Sequence, residues 1–287
     1  KVGIHNLNYT HQSRLAGMIN SDLLGFPIQN FSRPLNLIII HEGIDQIPDT
    51  RNILLDFGLD GVPGTGDIGE GNGTLDEGER LDEDKLAYFS QRQLGLHLST
   101  SWTKDTFEVG MAVKTLFHSI GEHSASGIGL DFVVLAVPWK NGRFGLTIRD
   151  ITTSWQVWEN GTVERFKPTA IGGLSHTHRF EDLPLTISGM VNIVWESGGK
   201  SIDDDIHLDN HGANYRLGLN GVYDNKIALR LGRNAIGSTT GGIGLSWENL
   251  SLDYAFLNEP SGSGLGASHM VSLAVNSNWI RQYVEKL

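Results

Sequence analysis

The sequence has 287 residues and no cysteine, which excludes disulfides, thiolate nucleophiles and cysteine-held metal centres. Asp+Glu number 33 against 22 Lys+Arg, and the resulting net charge of −11 argues against nucleic acid as a partner. No apolar run approaches the ~18 residues of a membrane helix, but a membrane β-barrel stays open, because its signal is alternation rather than hydropathy.

Period-two alternation dominates the chain. It predicts about fourteen strands, near 2–10, 14–26, 33–42, 91–102, 106–118, 126–138, 142–150, 168–179, 184–196, 212–221, 226–234, 239–248, 249–257 and 267–276. In 185–196, Leu185, Ile187, Val191, Ile193 and Trp195 share one face. In 226–231, Ile227, Leu229 and Leu231 alternate with Lys226, Ala228 and Arg230. Most of these segments reach about 9–12 residues, the length that crosses a bilayer when tilted. Strands of ordinary soluble sheets are nearer 5–6.

The connections carry a second signal. Every other one is short: 27–32, 103–105, 139–141, 180–183, 222–225 and 248–249. Most of the rest are longer: 43–90, 119–125, 151–167, 197–211 and 258–266, with 11–13 and 235–238 as short exceptions. One end then carries tight turns and the other large loops, as in outer-membrane barrels. Trp102 and Trp247 fall at the short-turn rim and Trp195 at the other, as an interfacial girdle requires. Arg143, Arg149, Arg216, Arg230, Lys114, Glu108, Glu196, Glu248 and Asp253 fall on the opposite face, as a polar lumen requires. In a soluble sandwich the same residues would be the solvent face, and periodicity does not separate the two. The expected fold is all-β: a closed antiparallel transmembrane barrel over 1–276 with an acidic outer loop at 43–90 and a periplasmic tail at 277–287.

The segment 56–79 is rich in Gly, Asp and Glu and has no apolar pattern. Oxygen ligands closely spaced among glycines suit Ca²⁺, which takes six to eight oxygens in a flexible geometry. Glu70, Asn72, Gly73, Asp76, Gly78 and Glu79 fall at EF-hand loop spacing, with Thr74 lending a carbonyl and Glu79 as the bidentate ligand. The first position is Ile68, with Asp67 one residue early, and no flanking helices are evident. Asp56 and Asp60 complete the candidate set. A solvated acidic loop is the competing reading. His41, Glu42, Asp45 and Asp49 form a weaker transition-metal candidate. His176 and His178 share a strand face, and His118, His123, His207 and His211 lie in or beside loops. No nucleophile elbow and no phosphate loop is present, so no enzyme is expected.

Several phrases resemble the PorV/PorQ family of outer-membrane barrels. They are Ile44-Asp45-Gln46-Ile47-Pro48-Asp49-Thr50, Ser124-Ala125-Ser126-Gly127-Ile128-Gly129-Leu130-Asp131, and Leu252-Asp253-Tyr254-Ala255-Phe256 followed by 265–273. Gly212-Ala213-Asn214-Tyr215 and Ala228-Leu229-Arg230-Leu231-Gly232 resemble a further pair. The phrases keep the family's order along nearly the whole chain. The resemblance implies a FadL-like barrel of fourteen strands in the bacterial outer membrane, preceded by a plug segment that this sequence lacks. No signal peptide is visible, and 278–287 does not end in an aromatic residue. The implied role is a binding or scaffold component of type IX secretion or surface attachment, with outer-membrane lipid around it and secreted or cell-surface proteins on its outer loops. FadL-type transport of hydrophobic small molecules is the alternative, and a soluble all-β binding module a further one.

Overall fold

The computed structural model describes residues 6–28, 32–196, 204–208, 211–258 and 266–284. In chain order its strands are β1 (Asn6–Arg14), β2 (Ile19–Ile28), β3 (Leu35–Asp49), β4 (Leu54–Leu55), β5 (Arg80–Leu81), β6 (Ala87–Lys104) and β7 (Phe107–Ile120). Then come β8 (His123–Ala136), β9 (Gly142–Arg149), β10 (Ser154–Trp158), β11 (Val163–Phe166), β12 (Thr169–Arg179) and β13 (Leu185–Glu196). The last are β14 (Ile206–Leu208), β15 (His211–Tyr223), β16 (Ile227–Arg233), β17 (Thr239–Ser246), β18 (Leu250–Leu257) and β19 (Ser268–Asn276), followed by a helix, α1 (Ser277–Val284).

Fourteen of these strands form one antiparallel ring, β1-β2-β3-β6-β7-β8-β9-β12-β13-β15-β16-β17-β18-β19. The ring closes where β1 pairs with β19, from Asn6↔Asn276 to Ser13↔His269. Closure removes both sheet edges, which lipid demands because it offers no partner to a free amide. Each of the fourteen expected strands is present, shifted by a few residues at most of its ends. No helix among the described residues is long and apolar enough to cross a membrane.

The pleat sorts side chains between two faces. Leu217 and Leu219 on β15, Leu229 and Leu231 on β16 and Ile243 on β17 all point outward and lie exposed. Leu229 and Leu231 are 62% and 65% exposed, far beyond what a packed core would leave. Ile187, Val191 and Ile193 share the outward face of β13. Among the described residues only Ile53, Ala125, Val194, Ala213 and Ala228 are buried and apolar. The molecule therefore has no conventional hydrophobic core, and its apolar surface is a belt around the outside. A two-sheet sandwich would bury that surface between its sheets.

Connections alternate by rim, as expected. Those at one end span 29–34, 105–106, 137–141, 180–184, 224–226 and 247–249. The β15–β16 turn shows why they are tight. Asp224 and Asn225 take positive φ of 51° and 53°, the geometry whose twist matches paired strands. The opposite rim carries 50–86 and the region between β13 and β15, of which 197–203 and 209–210 lie outside the described residues, as do 1–5, 29–31, 259–265 and 285–287.

Three expectations are corrected at this rim. The loop expected at 43–90 spans only 50–86, because β3 and β6 stay paired up to Asp49↔Ala87 beyond a bulge at Ile44/Ile47. The loop expected at 119–125 is a two-residue turn, Gly121 and Glu122. The loop expected at 151–167 is a hairpin, β10–β11, with β10 paired to β8 through Trp155↔Ile128 and Trp158↔Ala125. The tail begins as α1. The wall is consequently uneven: β6 has 18 residues and β7 and β8 have 14, against 7 for β16 and 8 for β17 and β18. Only about 9–11 residues are needed to span the bilayer, so one side of the barrel rises well beyond it.

Candidate channel lumen

Inward-facing residues follow from the same registers. Lys114 on β7 stands opposite Gly129 on β8, and Asp131 is two residues further on. β9 ends at Arg149, and Asp150 begins a turn with positive φ of 54° that leads to β10. These elements bring together an ion network. Lys114 Nζ lies 2.8 Å from Asp131 Oδ1 and 2.7 Å from Asp150 Oδ1. The Asp150 amide donates to Asp131 Oδ1 at 3.0 Å, and the Ser154 hydroxyl donates to Asp150. The side chains are only 16–20% exposed, so the lysine holds two largely desolvated carboxylates together. Gly129 lies beneath them; a Cβ there would stand 2.6 Å from Lys114 Cε and 2.9 Å from Asp150 Oδ1. The wall uses glycine so that the ion network can lie flat against it.

The opposite wall repeats the device. Arg230 Nη1 reaches Asp253 Oδ1 at 2.5 Å across Gly244. Next to this pair is a cavity of about 410 Å³ lined by Met190, Asn192, Arg216, Asn220, Arg230 and Met270, among others. Its floor is Gly218, Gly232 and Gly242, at inward positions of three adjacent strands. Arg216 Nε and Asn220 Oδ1 are buried there without a hydrogen-bond partner.

Between the two networks a strip of apolar residues faces the lumen. Leu23 faces Ile40, Ile40 faces Gly95, and Gly95 faces Leu116, all on the inward side. Nearer the loop rim, Ser21 Oγ donates to Glu42 at 2.7 Å and Arg14 pairs with the same carboxylate. The inward positions expected for Arg143, Arg149, Arg216, Arg230, Lys114, Glu108, Glu196 and Asp253 agree with the strand registers. Glu248 instead falls in the turn 247–249.

The calcium candidates are not drawn to one point. Among the described residues no three acidic or imidazole side chains form a metal-holding group. The carboxylates are shared among backbone amides instead. Asp56 accepts from the Gly71 and Gly73 amides at 2.7 Å each, and Glu79 accepts from Gly58 and Asp76 at 2.9 Å each. Asp67 Oδ2 accepts from the Asp60 amide at 2.8 Å, and Glu70 accepts from Gly64 and Gly66. Asn72 donates to Asp76 at 2.6 Å and accepts from the Thr74 amide at 2.7 Å. The glycines thus serve as amide donors in positive-φ turns. The Gly73 amide, aided by that of Gly71 and by Glu79, holds the Asp56 carboxyl below its ordinary pKa. Asp67 Oδ1 is buried with no partner.

The weaker candidates separate. His41 and Glu42 are successive residues of β3 and so point to opposite faces. Asp45 pairs with Arg92, and Asp49 with Arg51 at 2.6 Å. His176 and His178 share the outward face of β12, where Trp139 Nε1 donates to His176 Nδ1 at 3.1 Å. His118 lies within β7 between Gln91 and Gln156, each 3.2 Å away, and His123 opens β8 beside Glu159. The side chains of His207 and His211 lie outside the described residues.

The fold is similar to that of solved β-barrel channels and transporters. The Pseudomonas putida toluene transporter TodX superposes with a TM-score of 0.51 at 10% identity, covering 94% of this chain and 88% of that one. The CymD monoaromatic hydrocarbon channel gives 0.48 at 11% identity, covering 94% and 86%. A Pseudomonas aeruginosa FadL homologue gives 0.41 at 12%, covering 95% and 89%. No family model and no curated protein sequence matches the chain. The finer kinship to the PorV/PorQ family thus rests on the sequence phrases alone.

Proposed function

We propose that the chain is an outer-membrane channel that admits small, largely apolar molecules. The observation that carries this is the lumen: an apolar strip of Leu23, Ile40 and Leu116 between two wall-hugging ion pairs, inside a ring with a lipid-facing belt. Likeness of fold to a toluene transporter supports it. Pinning Lys114 and Arg230 to carboxylates over glycines keeps these two charges against the wall. The test is uptake of the hydrophobic fluorophore N-phenyl-1-naphthylamine by cells whose lipopolysaccharide layer excludes it. Expression of the folded chain should accelerate uptake; an unchanged rate overturns the reading.

A second reading is a scaffold for exported or surface proteins, of the type IX kind. The raised wall of β6–β8 and the 50–86 loop favour it, since they offer a platform beyond the bilayer. Deleting 56–79 should then abolish surface retention of the exported proteins while leaving dye uptake intact. For that loop we also propose Ca²⁺ as a ligand, with the unshared Asp67 Oδ1 as the starting oxygen and Glu70 and Glu79 exchanging amide bonds for the ion. Protection of the loop from protease by roughly millimolar calcium, reversed by chelator, supports this; equal cleavage with and without calcium refutes it.

A further inference from the structure

The cavity beside β15 and β16 has a chemistry that passage of neutral solutes does not use. Across five adjacent strands of the ring, β9, β12, β13, β15 and β16, all but β13 carry inward arginines: Arg143 and Arg149 on β9, Arg179 on β12, Arg216 on β15 and Arg230 on β16. Glu196, at the end of β13, is the one inward acid on those five strands, and Arg230 alone has a carboxylate partner among the described residues, Asp253 on β18. This arc is basic although the chain as a whole carries a net charge of −11. The 410 Å³ cavity lies at its β15–β16 end.

Two features there call for a ligand. Arg216 Nε is a buried donor with nothing to donate to, and Asn220, whose Oδ1 is equally unpaired, stands directly opposite Arg230. A buried unpaired polar group is costly, more so when charged, and a ligand that pairs with it recovers this cost. The row between Arg216 and Asn220 is Gly218 and Gly232, and the flexible Met190 side chain lies over Gly218 as the wall of the space between the two polar positions. Met190 and Met270 supply adaptable apolar walls.

We propose that this cavity binds a compact organic anion, with its oxyanion on Arg216, a hydroxyl or amide of the ligand on Asn220, and its apolar body over the glycine floor against Met190 and Met270. The site rests on the channel reading and gives it a substrate class: the solute carries one negative charge, which the guanidinium neutralises inside the lumen. Arg230 is already held by Asp253 and contributes field rather than a direct bond. A neutral molecule of the same shape fills the floor but leaves Arg216 unpaired.

The test compares benzoate, benzyl alcohol and inorganic phosphate by isothermal titration into the whole chain in detergent. Benzoate should bind at least about tenfold more tightly than benzyl alcohol, the discrimination that one charge-assisted hydrogen bond supplies. Arg216→Gln should remove that preference and leave benzyl alcohol binding unchanged. Arg143→Gln, at the far end of the arc, should change neither and serves as the folding control. Equal affinity for benzoate and benzyl alcohol, or an Arg216→Gln protein that keeps the preference, overturns the proposal. Binding of phosphate as tight as benzoate overturns the apolar-body part. Dye uptake is measured on the same variants: if wild-type uptake is fast and only the benzoate preference is missing, this inference fails and the channel reading stands; if uptake is absent, the channel reading fails.

Discussion

Removing the Lys114 charge should expose how the lumen is held. In Lys114→Met the Asp131 and Asp150 carboxylates, each less than 3 Å from the lost ammonium, face one another with no cation between them. Two unit charges about 5 Å apart repel by about 3 kcal/mol at an effective dielectric near 20. The lumen is water-accessible and relaxes part of this, so the expected loss is about 2–3 kcal/mol, below the 3–5 of a fully buried broken pair. The assay is urea unfolding from lipid vesicles, read by the loss of gel mobility shift of the closed barrel. Lys114→Met/Asp150→Asn removes one of the facing carboxylates and should recover at least half of the loss. If the single variant stays within about 0.5 kcal/mol of wild type, or the two changes simply add, the network does not hold the wall as described.

The remaining predictions concern the loops and the belt. The Asp56 and Glu159 carboxyls are held below their ordinary pKa, by the Gly73 amide and by His123 respectively. A depressed carboxyl stabilises the fold above its unfolded pKa and loses that contribution as pH falls through the folded value. Pepsin cleavage at 56–79 and near Glu159, normalised to an unstructured substrate, should therefore accelerate below about pH 4 while the barrel stays intact. Faster cleavage on raising the pH would contradict the sign. Ile193→Lys puts a charge on the lipid-facing side of β13 and should cost about 2–4 kcal/mol if it lies near the midplane. An equal stability in vesicles would mean that this face does not meet lipid.

Much of the ring was legible because its signal is local. Residues 185–196 and 226–231 alternate apolar and polar through consecutive positions, and that period alone fixes both strand and face. The turn 224–226 could be read from Asp-Asn, which tolerates positive φ. What stayed hidden depends on register between distant strands. Lys114 was recognisable as a lumen charge, but its partners Asp131 and Asp150 could not be assigned until the β7–β8 pairing placed Gly129 beside it. The one available signal was glycine at an inward position between charged neighbours. The β10–β11 hairpin was read as loop because Trp155 and Val157 give too short an alternation before Asn160-Gly161 breaks it. The acidic loop was open at the level of sequence: carboxylates between glycines look alike whether the glycines make room for an ion or supply amides, and the amide bonds accepted by Asp56, Glu70 and Glu79 depend on the folded backbone.

The chain has no cysteine, so a single introduced thiol reports one position cleanly. Ser272 faces the lumen opposite Thr10, with its hydroxyl 2.9 Å from that of Thr10, whereas Leu229 faces lipid. Ser272→Cys and Leu229→Cys, each labelled with a bulky maleimide, should part company in the dye-uptake assay. Passage through the lumen predicts that labelling at 272 drops uptake to the background of cells without the protein, while labelling at 229 leaves it unchanged. Uptake that survives the lumen label, or that falls equally with the label on the lipid face, would contradict a channel through this barrel.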